Sequence, residues 1–99
     1  MPTYTRNIGQ NRGRPRIWLE KAVLLDNGFN YHDKFKAINE VDRIVLQVDP
    51  LGDRTVSGSE SRPVIDLSGA VIERSFNTDK VKAVTVRKLS PGRLELTPA

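Results

Sequence analysis

The amino-acid sequence predicts a mostly β protein with two short helices, a pseudo-twofold β-barrel made by two tandem β-β-α-β-β repeats in one chain. Three observations lead there. The chain has 99 residues, 37% of them hydrophobic, which suits one modest core and a single domain over residues 1–99. Its two halves resemble each other residue by residue. Apolar and polar residues alternate at period two through "RIWL" and "VIDL", the mark of half-buried strands.

The internal match is dense. Arg14 pairs with Arg62, Pro15 with Pro63, Ile17 with Ile65 and Leu19 with Leu67. Ala22 and Val23 pair with Ala70 and Val71, then Phe29 and Asn30 with Phe76 and Asn77. The series continues through Asp33 and Asp79, Lys34 and Lys80, Lys36 and Lys82, Arg43 and Arg93, and Leu46 and Leu96. Upstream, Arg6 matches Arg54 and Ile8 meets Val56. The gaps fall at turns. The unit is about 48 residues long, with repeat one over 1–49 and repeat two over 50–99. Five-residue strands and a two-turn helix cannot bury their own apolar face, so the two units must pack on each other.

Each element has a local reason. A short strand is expected at 4–8 and again at 54–57. The polar stretches "GQNRGR" and "SGSESR" read as loops. Pro15 and Pro63 open the second strand of each unit. "EKAVLLDNG" reads as a short helix closed by Gly28, because glycine accepts the left-handed conformation that ends helices. "SGAVIERS" reads as its counterpart, with Ser68 as N-cap. Each unit ends in a hairpin, "KFKAI" to "RIVLQV" and "KVKAVTV" to "RLELT". The second turns at Ser90-Pro91-Gly92, the first around Asp42. Pro50 and Gly52 mark the connector between the units.

These motifs together resemble the AbrB/MazE swapped-hairpin barrel superfamily. The residues that carry the resemblance are Ile17-Trp18-Leu19, Leu24-Leu25, Gly28-Phe29, Asp33-Lys34 and Arg43-Ile44-Val45-Leu46. The "P-x-I-x-L…L-x-x-x-G-F" stretch is closest to the SymE-like branch. The first copy is covered almost throughout, whereas the second lacks the glycine before Phe76. The resemblance implies a barrel of swapped hairpins. It also implies operator binding through basic residues of the loop before the second strand. That loop falls on Arg12, Arg14 and Arg16 in the first copy and on Glu60, Arg62 and Val64 in the second, so only one loop is strongly basic. The SymE-like branch implies instead a toxin acting on RNA or the nucleoid.

Charge points to the same loop independently. Residues 1–21 carry Arg6, Arg12, Arg14, Arg16 and Lys21 against Glu20, which sums to +4, the formal charge of the whole chain. Guanidinium forks suit phosphate, and Gly9 and Gly13 allow close approach. The expected function is a small DNA-binding transcriptional regulator, with DNA preferred to RNA. Arg12, Arg14 and Arg16 are the main contacts and Arg6, Lys21 and Arg62 assist. Trp18 should face outward beside Arg16, available to stack a base or to meet a protein partner. A third alternative is accordingly a protein-binding antitoxin or host-defence inhibitor of a mobile element. Lys80 and Lys82, like Lys34 and Lys36, are expected to share a solvent face of an edge hairpin.

Other chemistry finds little support. His32 is the sole histidine, the chain has no cysteine, and no metal-ligand spacing, phosphate-cradling glycine loop or serine triad occurs. No catalytic residue, cofactor or metal is expected. No apolar run reaches the roughly 18 residues of a membrane span. A cytoplasmic monomer or homodimer is expected.

Overall fold

A computed structural model of the protein describes residues 3–99. In chain order the elements are β1 (Thr3–Asn7), β2 (Gly9–Asn11), β3 (Arg14–Glu20), α1 (Ala22–Leu25), β4 (Lys34–Glu40), β5 (Arg43–Val48), β6 (Arg54–Thr55), β7 (Ser57–Gly58), β8 (Pro63–Ser68), α2 (Ala70–Glu73), β9 (Ala83–Ser90) and β10 (Arg93–Pro98). The protein is mostly β with two short helices, as expected. The strands form two antiparallel sheets, one of six strands in the order β1-β9-β10-β5-β4-β6 and one of four in the order β2-β3-β8-β7. Neither sheet closes on itself. No helix among the described residues is long and apolar enough to cross a membrane.

Period-two patterning sets which face is buried. In β3, Ile17 and Leu19 are fully buried while Trp18 is exposed. In β8, Ile65 and Leu67 are buried while Asp66 and Ser68 are exposed. Each such apolar side chain contributes about 1.5–3 kcal/mol by leaving water. Helix residues Val23, Leu24, Val71 and Ile72 join them with Phe29, Phe76, Ile44, Leu46, Leu94 and Leu96, so residues of both halves build one core.

The pairing interleaves the halves. β1 pairs with β9, and β6 pairs with β4. At the centre of the smaller sheet Trp18 lies opposite Asp66, flanked by Ile17 opposite Leu67 and Leu19 opposite Ile65. In the larger sheet Val45 lies opposite Glu95, flanked by Ile44 opposite Leu96 and Leu46 opposite Leu94. Single residues carry the chain between sheets: Ile8 from β1 to β2, and the fully buried Val56 from β6 to β7.

Several local expectations are corrected. The first strand of each half stops at such a sheet change, so 54–57 is two short pieces rather than one strand. Four of the six residues of "GQNRGR" are strand, since Gly9–Asn11 pair with Arg14–Arg16 and only Arg12 and Gly13 form the turn. Ser68 is not an N-cap: it ends β8, and Gly69 enters α2 at φ 70° with no side-chain cap. Lys80 and Lys82 do not lie on a strand, because 78–80 form a turn and β9 begins at Ala83. The Gly28 expectation holds: it sits at φ 84° and the Phe29 amide donates back to the Leu24 carbonyl at 3.0 Å, as in a Schellman motif.

Candidate nucleic-acid interface

The basic segment folds as a β-hairpin. Asn11 pairs with Arg14, leaving Arg12 and Gly13 as a two-residue turn with φ 54° and 77°. Positive φ at both central positions is the type I′ geometry that matches the twist of a hairpin. Gly13 supplies it without strain, whereas Arg12 adopts it at a cost of about 1–3 kcal/mol. Arg12 is exposed at the tip and makes no ion pair or side-chain hydrogen bond among the described residues.

The other two loop arginines are engaged by acids of the second half. Arg14 reaches Glu73 of α2 at 2.5 Å. Its guanidinium lies over Gly69, where a Cβ would stand 3.0 Å from Nη2, a contact that the flexible arginine could relieve by moving. Arg16 donates from Nε and Nη2 to the two Asp66 oxygens at 2.9 and 3.0 Å. The same guanidinium carbon lies 4.6 Å from the Trp18 ring centroid. The Asp66 hydrogen bonds raise the Arg16 pKa still further above its ordinary range. Both pairs are solvent-accessible, and exposed ion pairs contribute only about 0–1 kcal/mol. A phosphate can therefore compete for either arginine. Beside the hairpin runs a polar cleft of about 300 Å³, lined in part by Gln10, Glu73, Asp79 and Lys82. Its two carboxylates disfavour an anion inside it.

The remaining basic candidates lie elsewhere. The Lys21 amide donates to the Pro63 carbonyl at 3.2 Å, which puts Lys21 and Arg62 at the end of β3 away from Arg12. Seven extended residues separate the two ends by about 20 Å. Arg6 is on the larger sheet, stacked 5.7 Å from the Tyr4 ring and bonded to the Thr5 carbonyl. At Lys21 and Arg62 the second hairpin presents Glu60-Ser61 at its tip, closed by reciprocal Ser59 and Arg62 backbone bonds.

Trp18 is outward and 40% exposed, as the alternation predicts. His32, at φ 72°, stacks on Tyr31 with ring centroids 3.7 Å apart, and its side chain meets no acid or base among the described residues. No group of three His, Cys, Asp or Glu among the described residues is arranged to hold a metal. The residues the sequence reading missed are Asp66 and Glu73. Asp66 was legible in principle: it is the repeat counterpart of Trp18, and antiparallel pairing of counterpart strands sets such residues opposite each other. Glu73 depends on where α2 docks, which no spacing reveals. Comparison with protein-family models, curated proteins and solved structures finds no match to this chain.

Proposed function

We propose that the protein is a small DNA-binding regulator that engages the duplex backbone through the β2–β3 hairpin. One observation carries this reading: Arg12 stands at an open turn tip without an acid partner among the described residues, with Arg14 and Arg16 behind it on the outward face of β3. Phosphate contact would supply affinity, and Arg12 could reach a base edge for preference. The opposite tip carries Glu60, so one chain offers one cationic contact and reads one half-site. Lys21 and Arg62, about 20 Å away along β3, and Arg6, on the larger sheet, act as steering charge. Action in the cytoplasm accords with a chain that has no cysteine.

We read the architecture as an internally duplicated swapped-hairpin barrel of AbrB/MazE type. Its support is the register. Trp18 faces its own repeat counterpart Asp66, and Val45 faces its counterpart Glu95, as a twofold axis through both sheets requires. The exchange of β1 and β6 between halves, and the strand bends at Ile8 and Val56, add to it.

The test is retention on duplex DNA at two salt concentrations. Arg12→Ala should weaken binding and reduce the salt slope by about 0.9. Replacing Arg12, Arg14 and Arg16 together by Ala should abolish retention, and unchanged affinity would remove the hairpin from the mechanism. The exposed Trp18 beside Arg16 favours one second reading, a protein-binding module, since these residue types anchor interfaces. Stoichiometric recovery of a protein that depends on Trp18, with no DNA retention, would replace the first reading by this one.

A further inference from the structure

Arg43 and Arg93 occupy like positions. Each follows a two-residue hairpin turn, Val41-Asp42 or Pro91-Gly92, and each opens a strand of the adjacent pair β5 and β10. Their surroundings differ in charge. Arg43 is held by Glu40 across its turn and by Glu95 on the neighbouring strand at 2.6 Å. Glu95 is itself shared with Arg87 at 2.9 Å. The places that correspond to Glu40 and Glu95 around Arg93 are taken by Ser90 and Val45, neither of which can neutralise a cation. Arg93 accordingly makes no ion pair among the described residues, and its Nε is shut off from water without a hydrogen-bond partner. An arginine with no carboxylate partner is an available cation, and the remaining nitrogens of its guanidinium can take an oxyanion.

Space for one lies beside it. A groove of about 440 Å³ is lined by Gly28, Gln47, Val48, Pro91, Gly92 and Arg93. That volume falls in the range of small-molecule sites. The walls are mostly apolar, and Arg93 is the only charged residue among them. Glycine at 28 keeps the helix end close to the turn, where a Cβ would stand 2.8 Å from the Gly92 nitrogen. The ladder also shifts register between Arg93 and Leu94, with Leu89 of β9 as the extra residue of a bulge, which sets the Arg93 turn off from the regular strand pair. No corresponding shift occurs at Arg43.

We propose that this groove is a binding site for a carboxylate carried on a short apolar stem, with Arg93 taking the carboxylate and Val48, Pro91 and the two glycines taking the stem. The site is separate from the β2–β3 hairpin and does not depend on DNA binding. The test is a titration of the full chain with hexanoate, and with hexanol as the uncharged control, followed by amide chemical shifts. The expected result is saturable shifts at Gly28, Val48 and Gly92 with half-saturation on the order of 1 mM, within reach of so small a ligand. Hexanol should give at least tenfold weaker effects. Arg93→Gln should lose the response at least tenfold. Ser90→Glu keeps the cation but supplies the acid that Glu40 supplies to Arg43, and should also weaken binding at least fivefold. Equal responses to hexanoate and hexanol, a response indifferent to both substitutions, or no saturable shift in the wild type would each overturn the proposal.

Discussion

Single residues show where this chain tolerates conformational cost. Lys21 enters α1 at φ 57° and ψ −126°, a region glycine favours, and Gly69 enters α2 at φ 70° and ψ −128°. Lys21→Gly should therefore stabilise the protein by about 1 kcal/mol, strain relief outweighing the added freedom of the unfolded chain. A urea midpoint unchanged or lowered would contradict this. Asp49 offers a pH prediction. It accepts the Leu51 amide at 2.8 Å and pairs with Lys36 at 3.3 Å, which together hold its pKa below the ordinary 3.8. A carboxylate with a depressed folded-state pKa contributes stability above the ordinary value and loses it as pH falls through the lowered one. Asp49→Asn should accordingly lower the melting temperature at neutral pH, with the deficit shrinking as the pH falls below 3.8 and through the lowered value. A deficit that stays constant across that range would rule the mechanism out.

At the scale of elements, the turns decide more than the helices, which have four residues each and no side-chain caps. The α1 end and the β9–β10 turn lock together, the Gly92 amide donating to the Asn27 carbonyl at 2.9 Å. The α2 end does the same with the β4–β5 turn, where the Asp42 amide donates to Ser75. Gly28 thus carries two requirements, a left-handed φ and room for Gly92, while Gly13 carries only the first, since nothing lies within 4 Å of its Cβ position. Gly28→Ala should cost about 3 kcal/mol or more, and Gly13→Ala about 1 kcal/mol. Denaturation of the two variants side by side checks the ordering; equal costs would mean that the α1 end yields to Gly92 without penalty.

For the whole molecule, the central consequence is that neither half owns a core. Ile17 and Leu19 bury against Leu67 and Ile65, and β1 and β6 complete sheet edges in the opposite half. A fragment of residues 1–49 should be unfolded alone, with dispersion appearing in its amide spectrum only after fragment 50–99 is added. An independently folded 1–49 would show that half to be self-sufficient. Interleaving also explains the electrostatics of the basic hairpin, because its acid partners Asp66 and Glu73 come from the other half.

Local patterning was enough to give the mostly β class, the faces of β3 and β8, the Gly28 helix end and the outward Trp18. All of these depend on neighbours in sequence and on which side chains water rejects. At Ser68 and over Lys80–Lys82 local propensity is overruled, by a glycine entry to α2 and by a turn that delays β9. The pairing of Arg14 and Arg16, the isolation of Arg12 and the lack of an acid around Arg93 were settled only in three dimensions. Charge acts through distance, and distance between halves is set by packing rather than by spacing along the chain.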